Sequence, residues 1–479
     1  MNENVWMTSP VMPAELQTEW QALHEGKRQR GVWRRFNEDK FGMFIHWGLY
    51  SIPSGRWNGR EVWGMGEWIM WHGNIPRADY AALARQLDPD KFNAAEWIGL
   101  AKLAGMKYVV VTAKHHDGFA LWPSRCSTFN IAEASPCRIN VLDELYAECQ
   151  RQGLGFGLYY SHVIDWHDGW EGEGGTPDAD PTAERDRKKS NPMNTWDPAN
   201  VTRRDYFEKK AYPQVRELLE RYPKLYSLWF DYWYLGKYLN PPEAFRFYKL
   251  VTELQPDCLV NSRMDGHQDR HTLGDYITAG DDMILDPDQP MPWESPGTLN
   301  NTWGYSERST DWKSRDELIH FLVSIISRGG NYLLNIGPRP DGSIPEETFT
   351  CFRHIGDWMR VNGEAVYGTS AWRIDKEGDS VSRFGGTLER DEKGFKAAFT
   401  SRDLWFTAKG DAVYVIGLVW PADGKVIVHS LAGQNVKSVG LLGAAQPLAW
   451  AMTDTGLAAT LPTVGLGTIG FVLRANVIQ

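Results

Sequence analysis

Residues 228–234 read Leu-Trp-Phe-Asp-Tyr-Trp-Tyr, which places the carboxylate of Asp231 in the middle of an apolar and aromatic run. Burying a charge in such surroundings costs free energy unless the charge is paired or used in chemistry. Asp231 is therefore the first candidate catalytic residue. The structural alternatives are a helix N-cap and a buried aspartate paired with an arginine, and this run alone does not separate them.

The same run belongs to one of six predicted strands that end in polar residues. Such strands alternate with helical patterns between about residues 40 and 340, which is typical of parallel βα units and predicts an α/β barrel. Two or three strands of an eight-stranded barrel are not visible in the pattern. The predicted strands are Gly42–Trp47, Tyr108–Lys114, Gly155–Ser161, Tyr226–Asp231, Cys258–Ser262 and Tyr332–Ile336, and the main helices are Ala94–Ala104, Val141–Gln152, Pro242–Leu254 and Arg315–Ser327.

Two other regions differ from this pattern. Asp165–Asn200 is too polar for a core and predicts a long surface loop at the mouth of the barrel. After about Thr369 short strands alternate with glycine turns, which predicts a C-terminal β-sandwich of about 105 residues. The predicted domains are residues 1–370 and 371–479. The predicted sandwich strands are Ser382–Phe384, Phe395–Ser401, Ala412–Trp420, Lys425–Ser430, Leu457–Leu461 and Gly470–Leu473.

The composition argues against two classes of partner. The chain has 479 residues, of which 42% are hydrophobic and 23% charged, and no apolar stretch is long enough to span a membrane. The net charge of −10 is unfavourable for nucleic-acid binding, which needs clustered lysine and arginine. The 23 tryptophans, in contrast, offer flat aromatic faces that suit the C–H faces of sugar rings.

The N-terminus and the cysteines give predictions about cellular location and about the state of the thiols. Residues 1–6 have neither the basic start nor the apolar stretch of a signal peptide, which predicts a cytoplasmic protein or one that has already been trimmed. The five cysteines are odd in number and lack metal-type spacing, so we expect free thiols at Cys126, Cys137, Cys149, Cys258 and Cys351.

Polar side chains follow the predicted strands at the positions where an α/β barrel builds its active site. All are types that bind hydroxyl groups or move protons, and so many in succession are hard to ascribe to packing. They are His46, His115, His116, Tyr159, Tyr160, Asp231, Asn261 and Arg263, and Glu294 lies where a further strand end is expected.

Two carboxylates at strand ends suggest glycoside hydrolysis, in which one attacks the sugar and the other protonates the leaving oxygen. Asp231, within expected reach of Tyr159, is the predicted nucleophile. Glu294 is the predicted general acid/base, because desolvation and the charge of Asp231 favour its protonated form. A structural salt bridge is the alternative role for Glu294.

The adjacent histidines His115 and His116 raise the alternative of a metal-dependent hydrolase built on His46, His116 and Asp231. Adjacent residues of a strand point to opposite faces, so only one of the two histidines is expected in a common site without a bulge. A hydroxyl-binding histidine with a structural neighbour is the preferred interpretation.

Glu67 and Trp68 lie in a loop rich in tryptophan. Such a loop suits the stacking and gripping of a sugar, and simple packing is the alternative.

Several short motifs follow one another along the chain. They are FGMFIHWG (residues 41–48), GEW (66–68), KHHDGF (114–119), LYYS (158–161), LWFD (228–231), WE (293–294), WGY (303–305) and GGNYLLNIGP (329–338). Taken in order, these motifs resemble those of the family-29 glycoside hydrolases, the retaining α-L-fucosidases. The resemblance covers roughly residues 38–370, and it implies an irregular (β/α)8 TIM-type barrel followed by a β-sandwich, with no metal and no organic cofactor.

The resemblance also implies roles for individual residues. Asp231 matches the family nucleophile, which forms a covalent fucosyl intermediate. The positions expected to surround the fucose are His46, Glu67, Trp68, His115, His116, Trp229 and Arg263, together with one of Tyr159 and Tyr160. Tyr159 is preferred because it shares a strand face with Gly157 and Ser161. The general acid is placed differently among branches of the family, so Glu294 has three reserves, which are Asp275, Asp281 and Asp282. The bulky residues 232–234 depart from the family pattern and are expected to reshape the leaving-group side of the site.

The expected activity is that of an exo-acting retaining α-L-fucosidase, with a fucosylated oligosaccharide or glycoconjugate as substrate. The alternatives are a glycosidase of the same fold for L-galactose or a related L-sugar, the metal-dependent hydrolase, and a non-catalytic sugar-binding protein. The β-sandwich is expected to brace the barrel, because Trp405, Trp420 and Trp450 are dispersed rather than clustered. Linkage, aglycone and oligomeric state do not follow from the sequence.

Overall fold

The computed structural model describes residues 12–168, 203–231, 239–267, 271–380, 399–462 and 469–478. Eight parallel strands form the first sheet: β1 Phe41–Ile45, β2 Tyr108–Lys114, β3 Gly155–Tyr160, β4 Leu225–Phe230, β5 Leu259–Val260, β6 Ile277–Thr278, β7 Trp293–Gly297 and β8 Asn331–Ile336. Their order in the sheet is β5-β4-β3-β2-β1-β8-β7-β6.

The two edge strands of this sheet, β5 and β6, meet and close the barrel. Asn261 and Tyr276 form a parallel bridge, and the Ser262 amide donates a hydrogen bond to the Tyr276 carbonyl over 2.9 Å. In the described residues between Val260 and Trp293 there is no α-helix, so the alternation of strand and helix is interrupted here. The barrel is therefore of the irregular (β/α)8 type, and the predicted fold class is confirmed.

Twelve α-helices lie in the described residues of this part, and those between strands pack around the barrel. Local capping explains several of their ends: Ser314 accepts from the Glu317 amide while the Glu317 carboxylate accepts from the Ser314 amide, which is a capping box. The helices are Ala14–Gln29, Val32–Asp39, Ile69–His72, Arg77–Ala82, Ala94–Leu103, Ile131–Ala134, Val141–Gln152, Arg203–Tyr206, Tyr212–Arg221, Pro241–Leu254, Arg315–Ser327 and Glu346–Asn362.

The C-terminal part folds into two antiparallel sheets that share one hydrophobic core. Its strands are β9 Ser370–Glu377, β10 Leu404–Lys409, β11 Ala412–Gly417, β12 Lys425–Val428, β13 Asn435–Leu441, β14 Ala449–Thr453, β15 Gly456–Thr460 and β16 Phe471–Ile478. One sheet has the order β9-β10-β11-β16-β13 and the other β12-β15-β14. This is the predicted β-sandwich. The predicted domain boundary between residues 370 and 371 stays a prediction.

The five-stranded sheet packs against the barrel. The Thr407 hydroxyl donates to the Ala365 carbonyl over 2.8 Å, and Arg328 pairs with Asp375 over 2.8 Å. Trp405 is buried with its ring 5.5 Å from that of His320 on a barrel helix. Such contacts are those that a brace requires, and they remove Trp405 from any role as a sugar-stacking surface.

Some predicted features lie outside the described residues. They are the polar loop from residue 169 onwards, the strand Ser382–Phe384, most of Phe395–Ser401, and residues 232–234 after the predicted nucleophile. In the part of the chain that the structure describes, no helix combines the length and the apolar character that a membrane crossing requires.

Asp275 stabilises the closure of the barrel between β5 and β6. Its carboxylate accepts from the Lys27 ammonium, the Tyr248 hydroxyl and the Val260 amide, each over 2.8 Å. Lys27 and Asp275 are almost completely buried, with 1% and 0% of their side chains exposed. Asp275 therefore has a structural role, which removes it as a reserve for the general acid.

We expect Asp275→Ala to lower the free energy of unfolding by about 3–5 kcal/mol, because the Lys27 ammonium would remain buried without its counter-charge. Urea unfolding followed by tryptophan fluorescence measures the change. The matched control is Asp257→Ala, which breaks a surface pair with Arg30 whose side chains are about half exposed and should cost less than about 1 kcal/mol. Equal losses in the two variants would contradict this account.

Candidate active site

A small pocket opens at the carboxyl ends of the barrel strands, which is where α/β barrels place their active sites. Of the residues predicted from the sequence to surround a sugar, all except His116 line it. The lining residues are Phe44, His46, Met65, Glu67, Trp68, His115, Tyr159, Trp229, Asp231, Arg263, Asp281 and Trp303.

Asp231 follows directly after β4 and is 6% exposed. Its Oδ2 accepts a hydrogen bond from the Tyr159 hydroxyl over 2.8 Å, and its Oδ1 accepts from Nη1 of Arg263 over 3.0 Å. His116 Nε2 lies 3.5 Å from Oδ2. These contacts compensate the burial of the carboxylate and fix its orientation. Of the two structural alternatives that the sequence left open, pairing with an arginine is present, and it lies inside the pocket.

Aromatic rings hold the two partners of Asp231 in place. The Tyr159 ring stacks between those of His115 and Trp229, with centroids 5.2 Å and 5.5 Å away. The Arg263 guanidinium lies over the Trp229 ring, 4.9 Å from its centroid. Tyr159 and Trp229 therefore point into the barrel, as expected, whereas the Tyr160 hydroxyl donates to Gln214 over 2.9 Å and lies outside the pocket.

The three histidines of the site, His46, His115 and His116, are buried, and two of them are held by a polar neighbour. His46 Nδ1 lies 2.7 Å from Oδ1 of Asn335, and His116 Nδ1 lies 2.7 Å from the Ser161 hydroxyl. Burial lowers the pKa of His46 to about 3, and it lowers the pKa values of His115 and His116 well below their usual range. At neutral pH these rings are uncharged. Because His46 Nδ1 donates to the Asn335 carbonyl oxygen, its Nε2 atom can only accept a hydrogen bond from a hydroxyl group.

Of the two adjacent histidines, His115 lines the pocket and His116 does not, although both lie next to Asp231. Strand β2 ends at Lys114, and its register with β3 shifts between Thr112 and Lys114. The alternation of a strand therefore no longer applies at the two histidines, and their ring centroids lie 4.3 Å apart. His115 lines the pocket, and His116 supports Asp231 from behind.

His115, His116 and Asp231 offer possible ligand atoms within 4.8 Å of one another, and they are the one such group among the described residues. His46, which the sequence-based metal hypothesis included, is not part of it. A cation at this position would compete with the Arg263 guanidinium and the Tyr159 hydroxyl for Asp231. The donor set therefore favours a nucleophilic carboxylate held by hydrogen bonds over a metal centre.

Glu67 reaches the pocket from a loop. Its Oε2 accepts from the Gly304 and Trp303 amides over 2.8 and 3.2 Å, and no donor in the described part of the chain reaches its buried Oε1. Burial raises its pKa to about 7. Because the carboxyl group is fixed through Oε2, its Oε1 atom is suited to bind a hydroxyl group of a ligand in the pocket.

The expectation that Glu294 lies at the end of a strand is wrong. It is the second residue of β7, and it does not line the pocket. Its two oxygens accept from the Tyr108 hydroxyl over 2.7 Å and from Nε1 of Trp229 over 3.0 Å, and burial raises its pKa to about 7. Glu294 therefore supports the Trp229 ring from the barrel interior and cannot reach a leaving group in the pocket, which corrects its prediction as the general acid/base.

Among the reserves for that role, only Asp281 lines the pocket. Asp282 accepts from Lys313 over 2.7 Å and from the Thr298 hydroxyl over 2.9 Å, so it is structural, as is Asp275. Asp281 accepts from Nη2 of Arg263 and is 30% exposed. Adjacent nitrogens of one guanidinium thus hold Asp231 and Asp281 next to each other.

Sequence reasoning did not single out three of the lining residues, which are Phe44, Met65 and Trp303. Phe44 and Trp303 occur inside the motifs that carry the family resemblance, and Met65 directly precedes one, so position within these motifs was the available signal. Asn261 was expected among the site residues but is structural, since its amide bonds both backbone groups of Phe230, over 2.8 and 2.9 Å.

Comparison with known proteins agrees with this geometry. Residues 7–364 match the family model described as alpha-L-fucosidase, and residues 398–474 match the alpha-L-fucosidase C-terminal domain. The chain belongs to the alpha-L-fucosidase family. It is therefore a glycoside hydrolase, as its sequence motifs predicted.

Similarity to individual fucosidases extends over nearly the whole chain. The rat tissue alpha-L-fucosidase is 30% identical, and the alignment covers 96% of this chain and 91% of the rat enzyme. The human tissue alpha-L-fucosidase is 29% identical, and the alignment covers 94% of this chain and 88% of the human enzyme. The crystal structure of alpha-L-fucosidase from Vibrio sp. strain EJY3 has a TM-score of 0.76 and 32% identity, and covers 94% of this chain and 73% of that one.

A second solved structure bears on mechanism. It is a trapped covalent intermediate of an alpha-L-fucosidase from Bacteroides thetaiotaomicron in complex with 2-fluoro-fucosyl fluoride. Its TM-score is 0.74 at 28% identity, and the alignment covers 93% of this chain and 96% of that chain.

We expect Tyr159→Phe to lower kcat/KM for an aryl α-L-fucoside roughly 10- to 100-fold, because Asp231 would lose a hydrogen bond from a neutral donor to a charged acceptor. Steady-state kinetics measures the effect. Tyr160→Phe is the matched control, since it removes a hydroxyl from the next residue of the same strand without touching the pocket, and it should change kcat/KM less than about threefold. A larger loss in the control would contradict the assignment.

Proposed function

We propose that this enzyme is an exo-acting retaining α-L-fucosidase that removes terminal α-L-fucosyl residues from oligosaccharides or glycoconjugates. The observation that carries the proposal is the buried Asp231 carboxylate, oriented by Tyr159 and Arg263 in a small pocket. A small pocket of this kind suits one terminal sugar and exposes its anomeric carbon to a single nucleophile.

In the proposed mechanism, Asp231 attacks the anomeric carbon and forms a glycosyl-aspartate, which water then hydrolyses. Arg263 and Tyr159 orient the attacking carboxylate and stabilise the negative charge that returns to it when the intermediate is hydrolysed. The covalent intermediate trapped in the Bacteroides thetaiotaomicron fucosidase supports the same course here.

Asp281 is the proposed general acid/base. Retaining glycosidases hold their two carboxyl groups about 5 Å apart, and the shared Arg263 guanidinium keeps Asp281 beside Asp231. Burial raises the pKa of Asp281 despite the neighbouring guanidinium, which favours the protonated form that the first step needs. Its partial exposure gives the second step access to water.

The glycone preference follows from the lining of the pocket. Phe44, Met65 and Trp303 supply apolar surface for the C6 methyl group of fucose, and the uncharged His46 and His115 with the Oε1 atom of Glu67 suit its hydroxyl groups. An apolar patch rejects an added hydroxyl only modestly, so some turnover of an α-L-galactoside is compatible with this arrangement.

The first test is hydrolysis of an aryl α-L-fucoside by the wild type and by Asp231→Gly. We expect the variant to lose at least about 10³-fold in kcat, because the covalent step becomes impossible. Added azide should restore part of the rate and give fucosyl azide of inverted configuration, since azide enters from the side that Asp231 occupied. No wild-type turnover of the fucoside, or a rescued product of retained configuration, would contradict the proposal.

The acid/base assignment is tested with leaving groups of different acidity. Asp281→Gly should lose about 10²–10⁴-fold in kcat/KM for a phenyl fucoside, which needs protonation, and far less for a dinitrophenyl fucoside, which does not. Azide should now give fucosyl azide of retained configuration, because it intercepts the glycosyl-enzyme.

Glu294→Gln is the matched control for this experiment, because it alters a second buried carboxyl of raised pKa. Any loss in this variant should be equal for the two leaving groups, since Glu294 acts only on the position of Trp229. A leaving-group dependence in Glu294→Gln and none in Asp281→Gly would overturn the assignment.

A further inference from the structure

Trp63 is the most exposed tryptophan of the described residues, with 45% of its surface accessible. It lies in the loop that carries Met65, Glu67 and Trp68 into the pocket. An exposed aromatic ring beside a ligand pocket offers a flat face on which a sugar can stack.

The Trp63 ring is connected to the pocket through aromatic contacts. It packs edge-on against His72, with ring centroids 5.8 Å apart, and His72 packs against Trp68, with centroids 6.1 Å apart. Gly64 has a φ of +104°, and a Cβ atom there would lie 2.5 Å from the His72 ring. The close approach of this backbone to His72 therefore depends on glycine.

Both sides of Trp63 are attached to a second loop, which follows β7. Before it, Arg308 donates to the Val62 carbonyl and pairs with Glu61 over 3.3 Å. After it, the Gly66 amide donates to the Thr302 hydroxyl over 2.8 Å. The backbone around Trp63 is thus held in place before any ligand arrives, which reduces the entropy lost on binding.

The position of Trp63 relative to the reacting groups follows from its neighbours. Glu67, four residues further on, and Asp281 both line the pocket. The loop that carries Trp63 therefore borders the same pocket as the proposed general acid.

We propose that Trp63 forms a subsite for the sugar unit of the aglycone, next to the pocket that holds fucose. The exposed indole stacks on the C–H face of the leaving sugar, so the natural leaving group is a saccharide rather than a small alcohol. This inference rests on the proposed function and adds a specificity-determining residue to it.

The test compares two substrates that differ in whether an aglycone is present to stack. In α-L-fucosyl fluoride the leaving group is a single atom, so Trp63→Ala should keep kcat/KM within about twofold of the wild type. For the fucosyl disaccharide that the wild type hydrolyses fastest, the same variant should lose about tenfold in kcat/KM, mainly through KM. Trp63→Phe, which retains a flat ring, should recover most of the loss.

Trp450→Ala, in the β-sandwich, is the matched control and should leave both substrates unchanged. A disaccharide loss in this control, an equal loss on both substrates in Trp63→Ala, or no loss on either would overturn the subsite. Wild-type turnover of the fluoride without turnover of any disaccharide would overturn it as well. No wild-type turnover of the fluoride would instead contradict the proposed function itself.

Discussion

The rest of the site depends on the burial of one carboxylate among aromatic rings. Asp231 is compensated by a hydroxyl from the neighbouring strand and by a guanidinium from the loop beyond the next strand. The carboxylate and its two donors come from three adjacent parts of the barrel, so their geometry exists only when β3, β4 and β5 are in register. A flexible surface could supply the same groups, but it would not exclude water or hold the attacking oxygen in one direction.

A second layer of buried polar residues keeps the first in position. Asn335 and Ser161 each hold one nitrogen of a site histidine, Asn261 joins β4 to the residues after β5, and Glu294 holds the nitrogen of Trp229. Each is a buried polar group with a partner, as the cost of desolvation requires. These four residues position other residues and do not themselves line the pocket.

Sequence reasoning succeeded where the determining interactions are local. The helices Val141–Gln152 and Arg315–Ser327 were predicted within their observed bounds, because capping residues and apolar spacing act over one or two turns. The strand Ile277–Thr278 was not predicted, because two residues carry no periodic signal. Glu294 was expected at the end of a strand but lies at the start of one, because its position depends on the register of the sheet. The expectation that His115 and His116 point to opposite faces assumed that strand β2 continues through them, whereas it ends at Lys114.

The family, the parallel βα architecture with its C-terminal sandwich, and Asp231 as the candidate nucleophile follow from the sequence alone, because motifs and a charge within an apolar run are readable along the chain. Which of four carboxyl groups stands beside Asp231 depends instead on the three-dimensional fold. Three of these groups are held by hydrogen bonds or ion pairs to residues distant in sequence, namely Asp275, Asp282 and Glu294. Of the four, Asp281 is the one that lines the pocket. That choice depends on closure of the barrel between β5 and β6, where Arg263 holds Asp281 beside Asp231 although no local pattern connects these residues.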